Sequence, residues 1–301
     1  HVVVGHGGDA VRAAFAQQAD LLFVEQTQRL GTGHALQQAM PAIPDAARVL
    51  VLYGDTPLIT ATTLDLARER HRRAGAAVTL LSFMPDDPTG YGRIVRDGAG
   101  RVCAIVEHKD ATDEQRAIQE SNSGIMFFDG AWLWPALDDL ELSPQGEYYL
   151  TDLVAQAVRE GRPVQGVVVA QEEVMGINNR AQLAEASRVL WARRRQHWML
   201  EGVTMLDPET VWLDADVQLA PDTTLHQNVI LRGRTSIGAG CEIGPHVTLI
   251  DATLAADCVV VDARVEGSDL PRGSVVGPFE QIIQNERVAV SPPLSLQRTK
   301  E

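Results

Sequence analysis

Seven aliphatic residues recur at six-residue intervals in the last third of this 301-residue chain: Leu213, Leu219, Leu225, Leu231, Ile237, Ile243 and Leu249. Two positions before each stand Val211, Val217, Thr223, Val229, Thr235, Cys241 and Val247, all small or β-branched. Neither the helical period nor the two-residue period of an ordinary strand generates such a pattern. Short strands of about six residues, three to a turn, do generate it: a parallel β-helix whose aliphatic position points inward on every face. Gly238 and Gly244 follow the inward residue, where a corner needs conformational freedom. Ala255 and Val261 continue the phase, which is lost by Pro278. Residues 280–301 carry neither period and are expected to form an irregular tail.

The first 179 residues follow a different rule. Short apolar runs (Val2–Val4, 21–24, 49–53 and Val78–Phe83) alternate with stretches of helical spacing (9–18, 32–40 and 61–73). Continuous apolar strands between helices predict βαβ units around a parallel sheet buried on both faces. Arg93–Arg96 and 101–107, joined by Asp97-Gly98-Ala99-Gly100, predict a hairpin inserted in that sheet. Further strands are expected at 124–128 and 164–169, with a helix at 151–160 between them. Residues 180–201 read as one long helix with Asn179 at its N-cap and Gly202 at its stop. Its Arg193, Arg194 and Arg195 read as a solvated face. The fold class is therefore α/β: a Rossmann-like sheet domain (1–179), a linker helix (180–202), a short parallel β-helix (203–279) and the tail.

A net charge of −14 argues against nucleic acid as a partner, because phosphate binding needs a basic surface. No apolar run approaches the ~18 residues that cross a bilayer, so no membrane partner is expected. Cys103, Cys241 and Cys258 lack CxxC spacing, which excludes a sequence-evident zinc site or disulfide framework and suits a cytoplasmic protein. The chain starts at His1 directly in a strand-like run and reads as a fragment.

Several segments carry candidate chemistry. Asp55 follows the run 49–53 in Tyr53-Gly54-Asp55, at the carboxyl end of a strand where α/β sheets bind ligands. A lone carboxylate there suits Mg²⁺, which takes one or two protein oxygens and fills its octahedron with phosphate and water; it equally suits a turn before Pro57. Leu30-Gly31-Thr32-Gly33-His34 opens a helix whose free N–H groups would admit a planar polar ligand or a phosphate, or is only a tight turn. Gly5-His6-Gly7-Gly8 lacks the lysine and serine of a phosphate loop and reads as a strand-to-helix turn. Glu107 is suited to sugar hydroxyls. Lys109, one of two lysines, is either functional or paired with Asp110 or Glu107. Asn122 and Asn178 flank strand–helix junctions as caps, or in the case of Asn178 as a neutral oxygen ligand for Mg²⁺. His34, His71 and His197 show no HxxxH spacing, and none is assigned to catalysis.

Taken in order, Leu30-Gly31-Thr32-Gly33-His34-Ala35, Tyr53-Gly54-Asp55, Asp87-Pro88-Thr89-Gly90-Tyr91-Gly92-Arg93-Ile94, Glu107-His108-Lys109-Asp110-Ala111-Thr112, Gly146-Glu147-Tyr148-Tyr149-Leu150-Thr151-Asp152 and Asn178-Asn179-Arg180 closely resemble a bacterial bifunctional family. It is the N-acetylglucosamine-1-phosphate uridylyltransferase / glucosamine-1-phosphate acetyltransferase family, and the likeness runs from about residue 1 to 279. The resemblance implies a nucleotidyltransferase sheet domain followed by a left-handed β-helix. It implies UTP, N-acetylglucosamine-1-phosphate and UDP-N-acetylglucosamine as ligands, Mg²⁺ as cofactor, and a homotrimer formed through the β-helix. By the same resemblance Gln26, Gly31 and Thr32 would read the uracil edge, and Tyr53 and Gly54 would line the cleft. Asp55 and Asn178 would hold Mg²⁺, and Gly92, Glu107, Asn122 and Thr151 would bind the N-acetylglucosamine moiety. The family opens with a first strand and a glycine-rich, triphosphate-gripping loop whose Arg and Lys are absent here, and its acetyl-transfer site lies on later coils. No acetyl transfer is therefore expected from residues 1–301. Another sugar-nucleotide pyrophosphorylase, or an inactive assembly partner, are the alternatives.

Overall fold

The computed structural model describes residues 1–44 and 47–288. The chain divides into two compact units, the division falling between Arg180 and Ala181.

The N-terminal unit begins with β1 (Val2–Val4), α1 (Gly8–Ala14) and β2 (Phe23–Glu25), the two strands pairing in parallel as a sheet of their own. Next come α2 (Thr32–Ala39), β3 (Arg48–Val51), α3 (Ala61–Ala74), β4 (Val78–Phe83) and the hairpin β5 (Arg93–Arg96) and β6 (Val102–Val106). After α4 (Asp113–Arg116) follow β7 (Ser121–Asp129), α5 (Gly130–Asp138), α6 (Asp152–Arg159) and β8 (Val164–Val168). The larger sheet has the order β6-β5-β7-β4-β8, with β3 also on β7.

The sheet is mixed, which corrects the parallel expectation. Only β4 and β8 run parallel in it; β3, β4 and β5 all pair antiparallel with β7. The inserted hairpin brings the chain back into the sheet reversed. All of β4 and the first eight residues of β7 are buried, so two-sided burial does hold for the central strands. Val78, Leu80, Met126 and Phe128 pack against Leu133, Leu137, Leu153 and Val154 of α5 and α6. Leu81, Phe83, Ile125 and Phe127 join Ala67 of α3 in a second cluster. Helix α5 has no counterpart in the expected elements. It is apolar nearly all round (Trp132, Leu133, Trp134, Ala136 and Leu137 are buried) and holds Pro135, so it carries no amphipathic stripe. Its start is fixed by Asp129, which accepts from Trp132 N at 3.2 Å.

The C-terminal unit starts with α7 (Arg180–Leu200) and continues as three parallel sheets, the faces of a β-helix. Leu213, Leu219, Leu225, Leu231, Ile237, Ile243 and Leu249 are all buried and form one core. The second column is small because it lies at the corners: Thr223 donates to Gly238 O at 3.2 Å and Thr235 to Arg232 O at 2.7 Å, both hydroxyls buried. Pairs such as Val229↔Val247 hold an eighteen-residue coil, but Ser236↔Thr253 and Thr248↔Arg264 show later coils shortened by one and two residues. The inward positions become Leu254, Val260, Val265, Leu270, Val276 and Ile282. Ala255 and Val261 are therefore not inward residues, a second correction. A third concerns the tail. Gln281–Ile283 pairs in parallel with Arg264–Glu266, and Glu286–Val288 folds back antiparallel on it. The remainder of the expected tail, 289–301, lies outside the described residues. The arginine cluster of α7 is not simply solvated either. Arg194 donates to Ala215 O and Arg195 to Val211 O, tying the helix to the first coil, where Trp191 also meets Trp212 edge to face.

No helix among the described residues is long and apolar enough to cross a membrane. Leu231 is fully buried between the coils, so Leu231→Ala is expected to destabilise the β-helix by roughly 2–5 kcal/mol, measured by denaturant unfolding. A change below 1 kcal/mol would contradict the inward assignment.

Candidate functional site

The sequence placed Asp55 at the end of a strand extending to Tyr53. In the structure β3 stops at Val51, and Tyr53-Gly54-Asp55 lies in the turn beyond it. Thr56 fixes the turn by donating to Tyr53 O from its backbone N–H at 3.2 Å and its hydroxyl at 2.9 Å. The Tyr53 ring is laid across Gly124 so closely that a Cβ there would meet ring carbon Cε2 at 2.2 Å. Gly124 also has φ +81°, a conformation that side chains rarely adopt.

Gly124 takes this shape because β7 is irregular there. Leu80 pairs with Met126 and Ser82 with Asn122, so β7 carries extra residues opposite Leu81. Such bulges re-aim side chains near ligand sites. Ser123 fastens the irregularity by donating to Leu81 O at 2.8 Å, and the Asn122 side chain by accepting from Gly124 N at 3.1 Å. The Asn122 backbone N–H donates to Gly92 O at 2.8 Å.

Gly92 faces Glu107. A Cβ on Gly92 would stand 3.4 Å from Glu107 Oε2, so the missing side chain keeps that approach open. The other oxygen, Oε1, accepts from the Thr151 hydroxyl at 2.9 Å. Thr151 occupies the N-cap position of α6 yet makes no side-chain cap bond, its hydroxyl being used at Glu107. Burial raises the Glu107 pKa; Thr151 offsets part of this, and Asp152, Asp110 and Glu147 add repulsion. Among the described residues no cation pairs with it. Burial, with Glu107 and Asp55 adding to it, also pushes the Tyr53 hydroxyl up to about 12, against an offsetting hydrogen bond with Thr32.

Thr32 links this cluster to the start of α2, where its hydroxyl also accepts from Leu150 N at 3.2 Å. Gly31, at φ +97°, lies against Tyr148, whose carbonyl a Cβ would meet at 2.7 Å. Gln26 reaches in from the end of β2 and donates from Nε2 to Gly31 O at 3.0 Å. Gly54 has nothing within 4 Å of where its Cβ would lie and borders open space.

Asp55 and Asn178 both approach Gly176: a Cβ there would be 3.7 Å from Asp55 Oδ2 and 3.9 Å from Asn178 Nδ2. Ile177 N donates to Asp55 O at 2.8 Å and holds the two loops in register. One carboxylate and one amide are the sparse donor set that suits Mg²⁺, whose remaining positions phosphate and water fill. Among the described residues no group of three or more His, Cys, Asp or Glu could hold a metal.

The structure brings Gly92, Glu107 and Thr151 together, sets Thr32, Gly31 and Gln26 at the start of α2, and adds other residues. Gly124, Gly176 and Tyr148 were not singled out; only a glycine inside a strand pattern gave a signal for the first. Arg93, 1% exposed, donates to the carbonyls of Tyr91 and Arg116 and stiffens the Gly92 turn. Lys109 is exposed and makes no ion pair among the described residues, so of its two readings the pairing with Asp110 or Glu107 is not formed.

Two titration outcomes follow. The ionised, half-buried Glu107 is a net cost to the free fold, because its raised pKa means that folding disfavours the charged form relative to the unfolded chain. Glu107→Gln is expected to raise the melting temperature at neutral pH, the gain fading as pH falls to the ordinary value of 4.5. A lowered melting temperature at neutral pH would contradict this. For Tyr53 the folded pKa lies above the ordinary value of 10.0, so its stabilising share is complete below pH 10 and lost as pH rises towards about 12. Ultraviolet titration of wild type against Tyr53→Phe reads it directly; a Tyr53 transition at 10 would contradict the burial.

Comparison with known proteins places these observations in a family. The model of the nucleotidyl transferase family matches residues 9–215. Curated relatives include the bifunctional protein GlmU of Heliobacterium modesticaldum, 44% identical over 285 residues, covering 92% of this chain and 61% of the relative. GlmU of Alkalilimnicola ehrlichii is 44% identical over 289 residues (94% and 61%), and that of Stutzerimonas stutzeri 45% over 284 (93% and 62%). The chain spans about three fifths of the length of these relatives. The chain belongs to the nucleotidyl transferase family.

Proposed function

We propose that this chain forms the uridylyl-transfer site of an enzyme that makes UDP-N-acetylglucosamine and pyrophosphate from UTP and N-acetylglucosamine-1-phosphate. The observation that carries the reading is Glu107. A half-buried carboxylate with no cation beside it among the described residues, one oxygen held by Thr151 and the other left open by Gly92, is suited to neutral hydroxyl donors. Asn122 lies across the same turn, so the hexose would rest among Gly92, Glu107, Asn122 and Thr151. Tyr53 and Gly54 would border the nucleotide–sugar cleft, and Gln26, Gly31 and Thr32 would meet the uracil.

The chemistry is in-line attack by the sugar phosphate oxygen on the α-phosphate of UTP. It asks the protein for positioning and charge neutralisation rather than for a covalent nucleophile. Mg²⁺, when held by Asp55 and Asn178, would supply positive charge to the phosphates. Glu107 orients the sugar, and Thr151 orients Glu107. The reading suits a cytoplasmic enzyme, since its substrates are phosphorylated metabolites. Exposed Trp212 and Ile230, side by side on one β-helix face, support self-association into the expected homotrimer.

Calorimetry with UDP-N-acetylglucosamine tests the proposal. Mg²⁺ is expected to strengthen binding, Asp55→Ala to remove that increment, and Glu107→Gln to weaken binding about tenfold by replacing a charge-assisted acceptor with a neutral one. Unchanged Mg²⁺ dependence in Asp55→Ala would overturn the metal assignment. A preference for ADP-glucose or GDP-mannose would point to a different sugar-nucleotide pyrophosphorylase.

A further inference from the structure

His34 lies between two amide side chains. Its Nδ1 is 3.0 Å from Gln26 Nε2, and its Nε2 is 3.2 Å from Gln38 Nε2. A neutral imidazole has one donor and one acceptor nitrogen, so it cannot accept from both amides. The neighbours decide which amide yields. Gln26 Nε2 also faces Gly31 O at 3.0 Å, and a carbonyl only accepts, so the NH₂ group of Gln26 is committed to that side. Gln38 is held only by a 3.4 Å contact to His34 O. Gln38 is therefore the amide that turns its oxygen to the ring, and His34 carries its proton on Nε2. Tyr148 holds the ring's plane: the two rings stack at 6.5 Å and 23°. Tyr148 is itself tied down by Tyr148 N→Leu30 O at 2.7 Å and Gly33 N→Tyr148 O at 2.8 Å.

We infer that His34 is a positioning residue that selects uracil over cytosine by fixing the amide of Gln26. With one N–H on Gly31 O and the other on His34 Nδ1, Gln26 has only its Oε1 acceptor left to offer a ligand. An acceptor matches the N3–H of uracil and is mismatched to the unprotonated N3 of cytosine. Without the Nδ1 acceptor only the bond to Gly31 O still holds the Gln26 amide, so turning it to present a donor forfeits one hydrogen bond instead of two. The inference rests on the proposed placement of the base at Gln26, and it assigns the discrimination to a residue that need not touch the base.

Two measurements on the whole chain test it. Long-range ¹H–¹⁵N correlation of the unmodified chain is expected to show His34 as the neutral Nε2–H tautomer; an Nδ1–H tautomer would overturn the proposal, whatever the behaviour of any variant. Calorimetry with UDP and CDP then reads selectivity. Wild type is expected to prefer UDP. His34→Phe, which keeps a flat ring against Tyr148 but has no acceptor, is expected to narrow the UDP/CDP ratio by about tenfold, the worth of one hydrogen bond. His34→Asn, whose Oδ1 can stand in for Nδ1, is expected to restore it. A wild-type preference left unchanged in His34→Phe, or equal weakening of both ligands, would overturn the role of His34 alone. No wild-type preference would overturn the base placement at Gln26 and the inference with it.

Discussion

The ring of Tyr53 resting on the bare Cα of Gly124 is the contact to which the rest of the site is referred. It needs a residue without a Cβ at positive φ, and β7 supplies one only by breaking its ladder opposite Leu81. From that contact the connections run outward in both directions. Through its hydroxyl Tyr53 reaches Thr32 and so the start of α2. Through Asn122, Gly124 reaches Gly92, Glu107 and Thr151. Residues spread over a long stretch of chain are thereby set in one frame by backbone geometry and a few short hydrogen bonds.

That frame departs from local structural rules at several points, each at or beside a residue the proposed ligand would meet. A strand carries extra residues at Ser123–Gly124, the hydroxyl at the start of α6 leaves its cap unmade, and Glu107 is half-buried with no counter-charge among the described residues. Departures of this kind are expected where a site has a task that conflicts with stability. The β-helix shows the opposite case. Its corner hydroxyls at Thr223 and Thr235 are satisfied by nearby carbonyls, and its inward column is uniformly aliphatic.

This contrast explains what was legible in the sequence. The hexad repeat was readable because every coil repeats one packing problem, so Leu213 to Leu249 announce their own direction. The phase slip to Leu254 was not readable, because a corner can lose a residue while the inward side chain stays aliphatic. Nor was strand direction: the apolar run of β7 looks the same in a parallel or an antiparallel partner, and only the inserted hairpin determines it. At the site, the kinds of residue were legible from their motifs, including Asp55, Glu107 and Asn122. Their partners were not, since Thr151 meets Glu107, and Gln26 meets His34, only after folding. His34 carries no catalytic spacing in the sequence, and the amides of Gln26 and Gln38 that flank its ring come to it only in the fold.

The central claim is that the space between Gly92, Glu107, Asn122 and Thr151, bordered by Tyr53, receives the hexose of a uridine diphosphate sugar. A crystal structure of the chain with UDP-N-acetylglucosamine tests this most directly. The predicted result is hexose hydroxyls within hydrogen-bond distance of Glu107 and Asn122, uracil at Gln26, and Tyr53 still on Gly124. A ligand bound elsewhere on the chain, or bound with its hexose away from Glu107, would contradict the account.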